Sequence, residues 1–334
     1  MICLNETGKD QMFFAPALNE VIFKNFAVWL PAVTHYETRP DDLEGFSTYR
    51  TFIDAVKSRG FENVVLRRTY ALGDVLLVTA VAKWMQKKFG WNVGIETDWT
   101  KLKGISHWFP RVSSANHIGL DLDHVFELDH NPNGKYRKMH RLSIVKKVLG
   151  DSGAEWDLGE DVKPDKKYKN YVALQVSGST SLKSLNRPIL HRLSILLARK
   201  YPVVLIGSGA GWEGKNIVDL VGKTNLIQLW SVLKGCAGLV TMDSGPLWIS
   251  HFTRTPTVLL SGPTRPEERI SEHPLFPFAT GMVRLERLVN CSPCWESKWA
   301  CEGRLNCMRL VPPTKIWGVL KFELERVVAY GTGN

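Results

Sequence analysis

Residues 241–248, TMDSGPLW, place an acid, a hydroxyl and a glycine directly after an apolar run. The run GLVTM (238–242) is typical of a buried strand, and the residues from Gly245 onward are typical of a helix. The start of such a helix offers unpaired backbone N–H groups and a partial positive charge, which suit a phosphate. Aspartate and serine are also among the commonest residues that cap the start of a helix, so Asp243 and Ser244 could simply be caps. On these residues alone, phosphate binding and capping are equally good interpretations.

A second acid, Asp74, follows a strand-like run in the same way. ENVVLRR (62–68) is typical of a buried strand, YALG (70–73) of a turn and DVLLVTAVAKWMQKKFG (74–90) of an amphipathic helix. A carboxylate at such a junction can act as the general base that removes a proton from a hydroxyl group. Aspartate is also among the commonest N-cap residues, so the pattern predicts either a base or a cap here.

Two cations follow another apolar run, in YVALQVSGSTSLKSLNRP (171–188). Either Lys183 or Arg187 could bring positive charge to an anionic ligand. The small residues Ser177 and Gly178 form a loop that can approach the same ligand. A solvated lysine side chain is the alternative interpretation.

The loop in LIGSGAGWEGKNIVDL (205–220) contains glycines but lacks the strict spacing of a phosphate-binding loop. Its Trp212 is suited to stacking on a nucleobase and equally suited to packing in a core.

Four of the six cysteines lie within seventeen residues, with C-x2-C-x6-C-x5-C spacing. They are Cys291, Cys294, Cys301 and Cys307. Four thiolates form the tetrahedral site that structural zinc prefers, although this spacing departs from two CxxC pairs. A structural zinc site and a set of reduced or packed thiols therefore both remain open.

The elements that must position these residues alternate regularly between strand and helix patterns. Further strands are predicted at 92–97, 171–176, 202–207 and 256–262, and further helices at 189–200, 213–222, 229–236 and 246–253. The polar segment 159–170 is typical of a linker between domains. The pattern predicts an α/β protein with two doubly wound domains in tandem, and a ligand in the cleft between them at the carboxyl ends of the strands.

The chain length and net charge are typical of a two-domain protein that binds anionic partners. The chain has 334 residues, a net charge of +10 and a pI of about 9.3, which favour nucleotides, phospholipid head groups or nucleic acid as partners. No apolar run reaches the ~20 residues needed to span a bilayer, and residues 1–11 lack the pattern of a signal peptide. We therefore expect a cytoplasmic protein.

Three segments resemble glycosyltransferase family 9, the ADP-heptose:lipopolysaccharide heptosyltransferases. The weakest match is 171–188, which is similar to a strand and loop of the family but lacks its tryptophan. Residues 64–90 are similar to the N-terminal strand, glycine turn and GD helix start of that family, and 238–269 to its nucleotide-sugar-binding region. The segment 238–269 matches the family pattern D-S/T-G, TP and GPT-x-P at Asp243, Ser244, Gly245, Thr255, Pro256, Gly262, Pro263, Thr264 and Pro266. One departure is Trp248, which stands where the family usually has histidine. His251 follows one helical turn later and is expected to be a packed structural residue.

The resemblance implies GT-B architecture, with two Rossmann-like doubly wound domains facing each other across a cleft. It suggests an N-terminal extension at 1–58, an acceptor domain at 59–165, a nucleotide-sugar domain at 166–320 and a C-terminal tail at 321–334. It aligns Asp74 with the proposed general base of the family, and Lys183 or Arg187 with its diphosphate-binding lysine. We expect donor contacts from Ser177, Gly178, Glu213, Asp243, Ser244, Gly245, Pro246 and Thr264. We expect acceptor contacts from Arg67, Arg68 and Gly73.

The implied activity is an inverting glycosyl transfer that requires neither a metal nor another cofactor. The donor would be ADP-heptose or a similar nucleotide sugar, and the acceptor a lipopolysaccharide core or another glycan, met in the cytoplasm or at the inner membrane surface. Two alternatives remain: transfer to a modified DNA base, and a non-catalytic nucleotide-sugar-binding protein of the same fold.

Overall fold

The structure is a computed structural model that describes a subset of the residues. These are 11–14, 27–30, 52–68, 71–97, 118–122, 145, 149–150, 162–178, 180, 183–264, 266, 269, 280–285 and 306–331. The chain divides into two compact units. The first contains Met1–Tyr70 and Asp74–Trp156, and the second contains Ala71–Gly73 and Asp157–Asn334. The domain boundaries expected from the sequence remain a prediction.

The first unit contains a mixed five-stranded sheet among its described residues. Its strands are β1 (Gln11–Phe14), β2 (Ala27–Leu30), β3 (Asn63–Arg67), β4 (Asn92–Glu96) and β5 (Ile118–Asp121), and its helices are α1 (Phe52–Arg59) and α2 (Leu72–Phe89). The order is β1-β2-β5-β3-β4, in which β5, β3 and β4 are parallel and β1 and β2 are antiparallel additions at one edge. The segment 1–58 thus contributes two strands to this sheet.

The predicted β3-α2-β4 unit is present. Helix α2 begins at Leu72, two residues before the predicted start, after Ala71 in a left-handed conformation (φ 59°). Asp74 therefore lies inside the first turn of α2 rather than at its cap. Its neighbours from Val75 to Leu77 are fully buried, because the apolar face of the helix packs into the core.

The second unit contains a six-stranded parallel sheet among its described residues. Its strands are β6 (Val172–Gln175), β7 (Val203–Ile206), β8 (Ile217–Asp219), β9 (Gly238–Thr241), β10 (Thr257–Ser261) and β11 (Thr280–Arg284). Its helices are α3 (Arg187–Ala198), α4 (Leu226–Gly235), α5 (Gly245–Thr253), α6 (Asn306–Arg309) and α7 (Pro313–Gly331), with a 3₁₀ turn at Lys166–Tyr168. The strand order is β11-β10-β9-β6-β7-β8. The predicted α/β class with parallel sheets is confirmed.

The order of this sheet reverses between β6 and β9. From β6 the chain proceeds outward to β7 and β8, and then returns to place β9, β10 and β11 on the other side. In open parallel sheets the loops at such a reversal diverge and leave a crevice at the carboxyl ends of the strands. The loops after β6 and β9 are therefore the expected ligand-binding edge of this unit.

The helix predicted at 213–222 is wrong, since this segment contains β8. Ile217 and Val218 are β-branched and pair with Val203 and Val204 of β7, which suits a strand better than a helix. Asn216 adopts φ 60°, which ends any helical path before the strand begins.

A long helix that the sequence analysis does not predict, α7, packs against β10, β11 and α3. Leu320, Leu324 and Val327 are fully buried and follow the spacing of one helix face. Most of the segment 321–334, which the sequence analysis separates as a tail, belongs to this helix. Among the described residues, none of the helices combines the length and apolar character that crossing a bilayer requires.

Candidate active site

The DSG motif lies at the reversal of the sheet, after β9 and at the start of α5. Asp243 and Ser244 are both buried, and Pro246 lies in the first turn of the helix. Ser244 occupies the N-cap position, yet its side chain makes no capping hydrogen bond to the helix. Helix capping therefore does not explain the Ser244 hydroxyl, which supports the interpretation of this loop as a binding site.

Asp243 is the centre of a buried ion cluster. Lys183 Nζ lies 2.7 Å from Asp243 Oδ2, and Arg269 Nε lies 3.1 Å from the same oxygen. The side chains of Lys183, Asp243 and Arg269 are 13%, 6% and 3% exposed. We call these three residues the Asp243 cluster. Two basic side chains therefore meet one carboxylate beside the start of α5, where they could also contact an anion.

Arg269 is a residue that the sequence analysis missed. It lies in the same GPTRPEER segment as Thr264, and its position three residues after Pro266 carries no distinctive spacing. Thr264 is buried, and its backbone oxygen accepts a hydrogen bond from Ser261 Oγ at 2.6 Å.

The structure separates the two candidate cations. Arg187 is exposed, donates from Nη2 to the carbonyl oxygen of Gly211 at 3.3 Å, and lies 5.8 Å from the ring centre of Trp212. Lys183 instead belongs to the Asp243 cluster. Lys183 is therefore the stronger candidate for the diphosphate cation.

The ring of Trp212 contacts neighbouring side chains of the second unit. Its Nε1 donates to Ser194 Oγ at 2.9 Å, and the ring of His191 meets it edge-on at 5.4 Å. Glu213 is exposed and lines, together with Trp212, a cavity of about 540 Å³ beside α3. The predicted nucleoside contact of Glu213 stays a prediction.

The loop after β6 approaches the next loop of the sheet closely. Ser177 Oγ lies 3.1 Å from Ser208 Oγ and accepts a hydrogen bond from the Ser208 backbone N–H. At Gly178, a Cβ atom would lie 2.5 Å from the carbonyl oxygen of Lys183, so only glycine fits where this loop turns back. The glycine thus lets the chain place Lys183 near Asp243.

Gln175 is a second residue that the sequence analysis missed. It ends β6, is 3% exposed, and reaches across to the end of β9. Its Oε1 accepts hydrogen bonds from Thr241 Oγ1 at 2.5 Å and from the Met242 backbone N–H at 3.1 Å. The signal in the sequence is a lone amide at the end of the apolar run YVALQV.

In the first unit, Asp74 forms a buried ion pair with Arg68. Arg68 Nη2 lies 2.5 Å from Asp74 Oδ2, and the two residues are 8% and 2% exposed. The neighbouring Arg67 pairs with Glu96 at 2.9 Å in a more exposed setting. The guanidinium of Arg68 fixes the Asp74 carboxylate at the start of α2.

Gly73, which groups with the second unit, lies against Trp248 of the same unit. A Cβ at Gly73 would be 2.0 Å from Cδ1 of the indole, so any larger residue requires rearrangement. Trp248 itself is 3% exposed and meets the ring of His251 edge-on at 5.3 Å. The acceptor contact predicted for Gly73 stays a prediction.

His251 is buried and packed, as expected. Its Nε2 lies 2.9 Å from the carbonyl oxygen of Arg269, so Nε2 carries the proton and donates it. Burial of the ring lowers the pKa of His251 to about 4, although the bond to Arg269 opposes the shift. The ring is thus neutral at pH 7 and has a structural role beneath the Asp243 cluster.

We predict that acidification lowers the free energy of unfolding, because His251 is neutral in the folded protein and becomes protonated in the unfolded chain. The unfolded chain binds a proton below a pKa of ~6.5, whereas the folded protein resists it until about pH 4. Stability from this residue is therefore present above pH 6.5 and is lost as the pH falls towards 4, by about 2 kcal/mol between pH 7 and pH 5.

Urea unfolding of wild type and His251→Gln at pH 7 and pH 5 measures this loss of stability. The glutamine variant should lose less stability on acidification, and His191→Gln, at an exposed site, should behave as wild type. An equal loss in wild type and His251→Gln would contradict the assignment.

Three of the four clustered cysteines, Cys291, Cys294 and Cys301, lie outside the described residues. Cys307 belongs to α6 and is 1% exposed. Within the described part of the chain, no group of three or more His, Cys, Asp or Glu side chains is arranged to hold a metal ion. The zinc site and its alternative, packed thiols, both remain predictions.

A segment of the second unit matches the sequence model of a known family. A sequence model of glycosyltransferase family 9 (heptosyltransferase) matches residues 209–298, a segment that includes the DSG motif. This match confirms the resemblance found in the sequence and the predicted class of enzyme, a glycosyltransferase. A comparison with curated protein sequences gave no match.

Solved structures of the same class resemble the chain over most of its length. TibC, an iron-containing dodecameric glycosyltransferase of enterotoxigenic E. coli, has a TM-score of 0.58 at 18% identity, with 80% of each chain covered. A second TibC structure, in complex with ADP-D-β-D-heptose, has a TM-score of 0.57 at 17% identity, covering 80% of this chain and 77% of that one. The E. coli heptosyltransferase WaaC with ADP has a TM-score of 0.51 at 14% identity, covering 78% of this chain and 99% of that one. At these identities the likeness shows the fold, an α/β fold like that of these GT-B type heptosyltransferases, and the predicted cleft between two facing domains stays a prediction.

Proposed function

We propose that this chain, a homologue of glycosyltransferase family 9 over residues 209–298, transfers heptose or a similar sugar from an ADP-linked donor to the hydroxyl group of a glycan. The observation that carries the proposal is the Asp243 cluster beside the start of α5, at the reversal of the second sheet. Basic side chains next to a helix N-terminus suit the diphosphate of such a donor. The ADP-heptose bound by the structurally similar TibC supports the choice of donor.

The donor diphosphate would meet three kinds of group. The backbone at Ser244 and Gly245 supplies N–H groups at the start of α5, the Ser244 hydroxyl supplies a further donor, and Lys183 supplies charge. Asp243 does not touch the phosphates in this proposal. Its carboxylate holds Lys183 and Arg269 in place, which explains an acid beside an anion site. The nucleoside would extend towards the loops after β6 and β7, where Ser177 and Ser208 lie.

The reaction is a single displacement at the anomeric carbon. The acceptor oxygen forms a bond to that carbon while the bond to the β-phosphate oxygen breaks, so the configuration inverts and ADP leaves. Asp74 takes the proton of the acceptor hydroxyl as general base. Arg68 orients the carboxylate of Asp74 through their ion pair. Negative charge grows on the leaving diphosphate, and Lys183 with the α5 amides stabilises it. We propose that these groups suffice without a metal.

The acceptor we favour is a lipopolysaccharide core or a related glycan, met in the cytoplasm or at the inner membrane surface. The resemblance of residues 64–90 and 238–269 to the ADP-heptose:lipopolysaccharide heptosyltransferases supports this choice. Arg67 and Arg68, at the end of β3, are the proposed acceptor contacts, since their guanidinium groups suit the anionic substituents of such glycans.

A second candidate function is nucleotide-sugar binding without transfer. The observation that favours it is Trp248, a buried indole at the position where the family usually has histidine. Steady release of ADP from ADP-heptose only when a glycan acceptor is present would exclude this candidate. Binding of the donor with no release under any acceptor would favour it.

Donor binding is predicted to stabilise the protein. A ligand that binds only the folded state at 100 times its Kd adds about 2.7 kcal/mol, which corresponds to a rise in Tm of about 5 to 10 °C for a unit of this size. We expect this rise with ADP and ADP-heptose in a thermal-shift assay. Adenosine should produce little change, because it lacks the diphosphate that Lys183 and α5 would hold. A panel of nucleotide diphosphates and their sugars that leaves Tm unchanged would overturn the proposed function.

A further inference from the structure

The side chain of Gln175 uses its full hydrogen-bonding capacity at the reversal of the second sheet. Its Oε1 accepts from Thr241 and Met242, and its Nε2 donates to the carbonyl oxygen of Ser177 and, at 2.5 Å, to Ser244 Oγ. A glutamine amide has two N–H donors and two acceptor lone pairs, so all four are occupied. Gln175 thereby ties the end of β6 to the DSG loop after β9.

The neighbours of Gln175 decide which way its amide points. The backbone N–H of Met242 can only donate, so the atom that faces it must be Oε1. The backbone carbonyl of Ser177 can only accept, so the atom that faces it must be Nε2. The opposite orientation would set donor against donor and acceptor against acceptor in a buried place, which is costly. Ser244 Oγ therefore faces an N–H group.

The orientation of Gln175 fixes the role of the Ser244 hydroxyl. Because Ser244 Oγ accepts from Nε2, its own hydrogen must point elsewhere. Ser244 does not cap α5 and is only 8% exposed, and no acceptor for its hydrogen is found among the described residues. A buried hydroxyl whose hydrogen is directed away from the protein network, beside the start of a helix, is suited to donate to an anionic oxygen.

We propose that Gln175 is a positioning residue that holds the Ser244 hydroxyl as a hydrogen-bond donor to the diphosphate of the sugar donor. The inference rests on the proposed function and adds to it a residue outside the DSG motif. Gln175 acts through Ser244 and does not touch the ligand itself. The affinity for a nucleotide without a diphosphate should not depend on Gln175.

Gln175→Met is the sharpest variant, because it retains the length of the side chain and places no new charge beside the diphosphate. Methionine offers no N–H donor to Ser244 and no acceptor to Thr241 and Met242. The Ser244 hydroxyl then loses the bond that orients its hydrogen towards the ligand. We expect the Kd for ADP, measured by calorimetry, to rise about tenfold or more, the size of a lost hydrogen bond to a charged group.

Ser244→Ala and the double variant test whether Gln175 acts through Ser244. Ser244→Ala should raise the Kd for ADP by about tenfold, and adding Gln175→Met should raise it much less than it does alone, because the intermediary is gone. Thr257→Val is the matched control: it removes a hydroxyl buried in β10 that bonds to Thr255, and it should leave the Kd for ADP unchanged.

The outcomes separate the inference from the proposed function. Failure of the wild type to bind any nucleotide diphosphate overturns both. Binding of ADP by wild type and by folded Gln175→Met with equal affinity overturns the inference alone, as does a double variant whose loss is the product of the single losses. If Gln175→Met does not fold, Ser244→Ala replaces it, and an unchanged Kd for ADP in folded Ser244→Ala overturns the inference.

Discussion

Replacing Lys183 with alanine is expected to lower kcat for sugar transfer by about 10²-fold or more, the effect of removing one preorganised charge from a developing anion. The fold should persist, because Asp243 keeps its second cation, Arg269, at 3.1 Å. The measurement is the steady-state release of ADP from ADP-heptose in the presence of a glycan acceptor.

Arg187→Ala is the matched control for Lys183→Ala. It removes a cation four residues further along the chain that lies over Trp212 and outside the Asp243 cluster. We expect kcat to change by less than about threefold, as for a partly solvated side chain. A larger loss in Arg187→Ala than in Lys183→Ala would exchange the roles assigned to the two residues.

Replacing Asp74 with asparagine is expected to lower kcat by about 10²- to 10⁴-fold, the usual contribution of a general base. Asparagine is preferable to alanine, since its amide oxygen can still accept from Arg68. Alanine would leave the buried guanidinium without its carboxylate, which costs about 3–5 kcal/mol of folding free energy. The Kd for ADP should not change, because Asp74 is proposed to act on the acceptor.

Glu96→Gln provides the control for Asp74→Asn. Glu96 is likewise paired with an arginine, Arg67 at 2.9 Å, but its side chain is 48% exposed. Surface ion pairs contribute little, so this variant should retain kcat and stability. Turnover by Asp74→Asn at the wild-type rate would remove Asp74 from the mechanism.

The elements that hold the site could be predicted because their apolar patterns are strong. The runs at 171–176 and 238–242 contain almost only apolar residues, and each is followed by small polar residues. Such runs become buried parallel strands, β6 and β9, and their loops necessarily meet at the carboxyl edge of the sheet. The sequence therefore sufficed to place Asp243 and Ser244 in a candidate site.

The partners within the site could not be predicted in the same way. Gln175 and Arg269 are 69 and 25 residues distant from Ser244 and carry no fixed spacing to it. Their roles depend on strand register and side-chain direction, which hydrophobic periodicity does not encode. The same limit explains the choice between Lys183 and Arg187, since both follow β6 and only packing separates them.

At one edge of the second sheet, pairing between strands overrides the local preference of the sequence for a helix. The segment 213–222 has a helix-like mixture of charged and apolar residues. Pairing of β8 with the fully buried strand β7 decides its conformation. Helix α7 could have been predicted, because Leu320, Leu324 and Val327 follow the spacing of one helix face.

A crystal structure with bound ADP would show whether the start of α5 holds the diphosphate. We expect a β-phosphate oxygen within hydrogen-bonding distance of the Gly245 backbone nitrogen and the Ser244 hydroxyl, with Lys183 Nζ in contact with the diphosphate. An ADP molecule bound with its diphosphate away from all three groups would rule out this site.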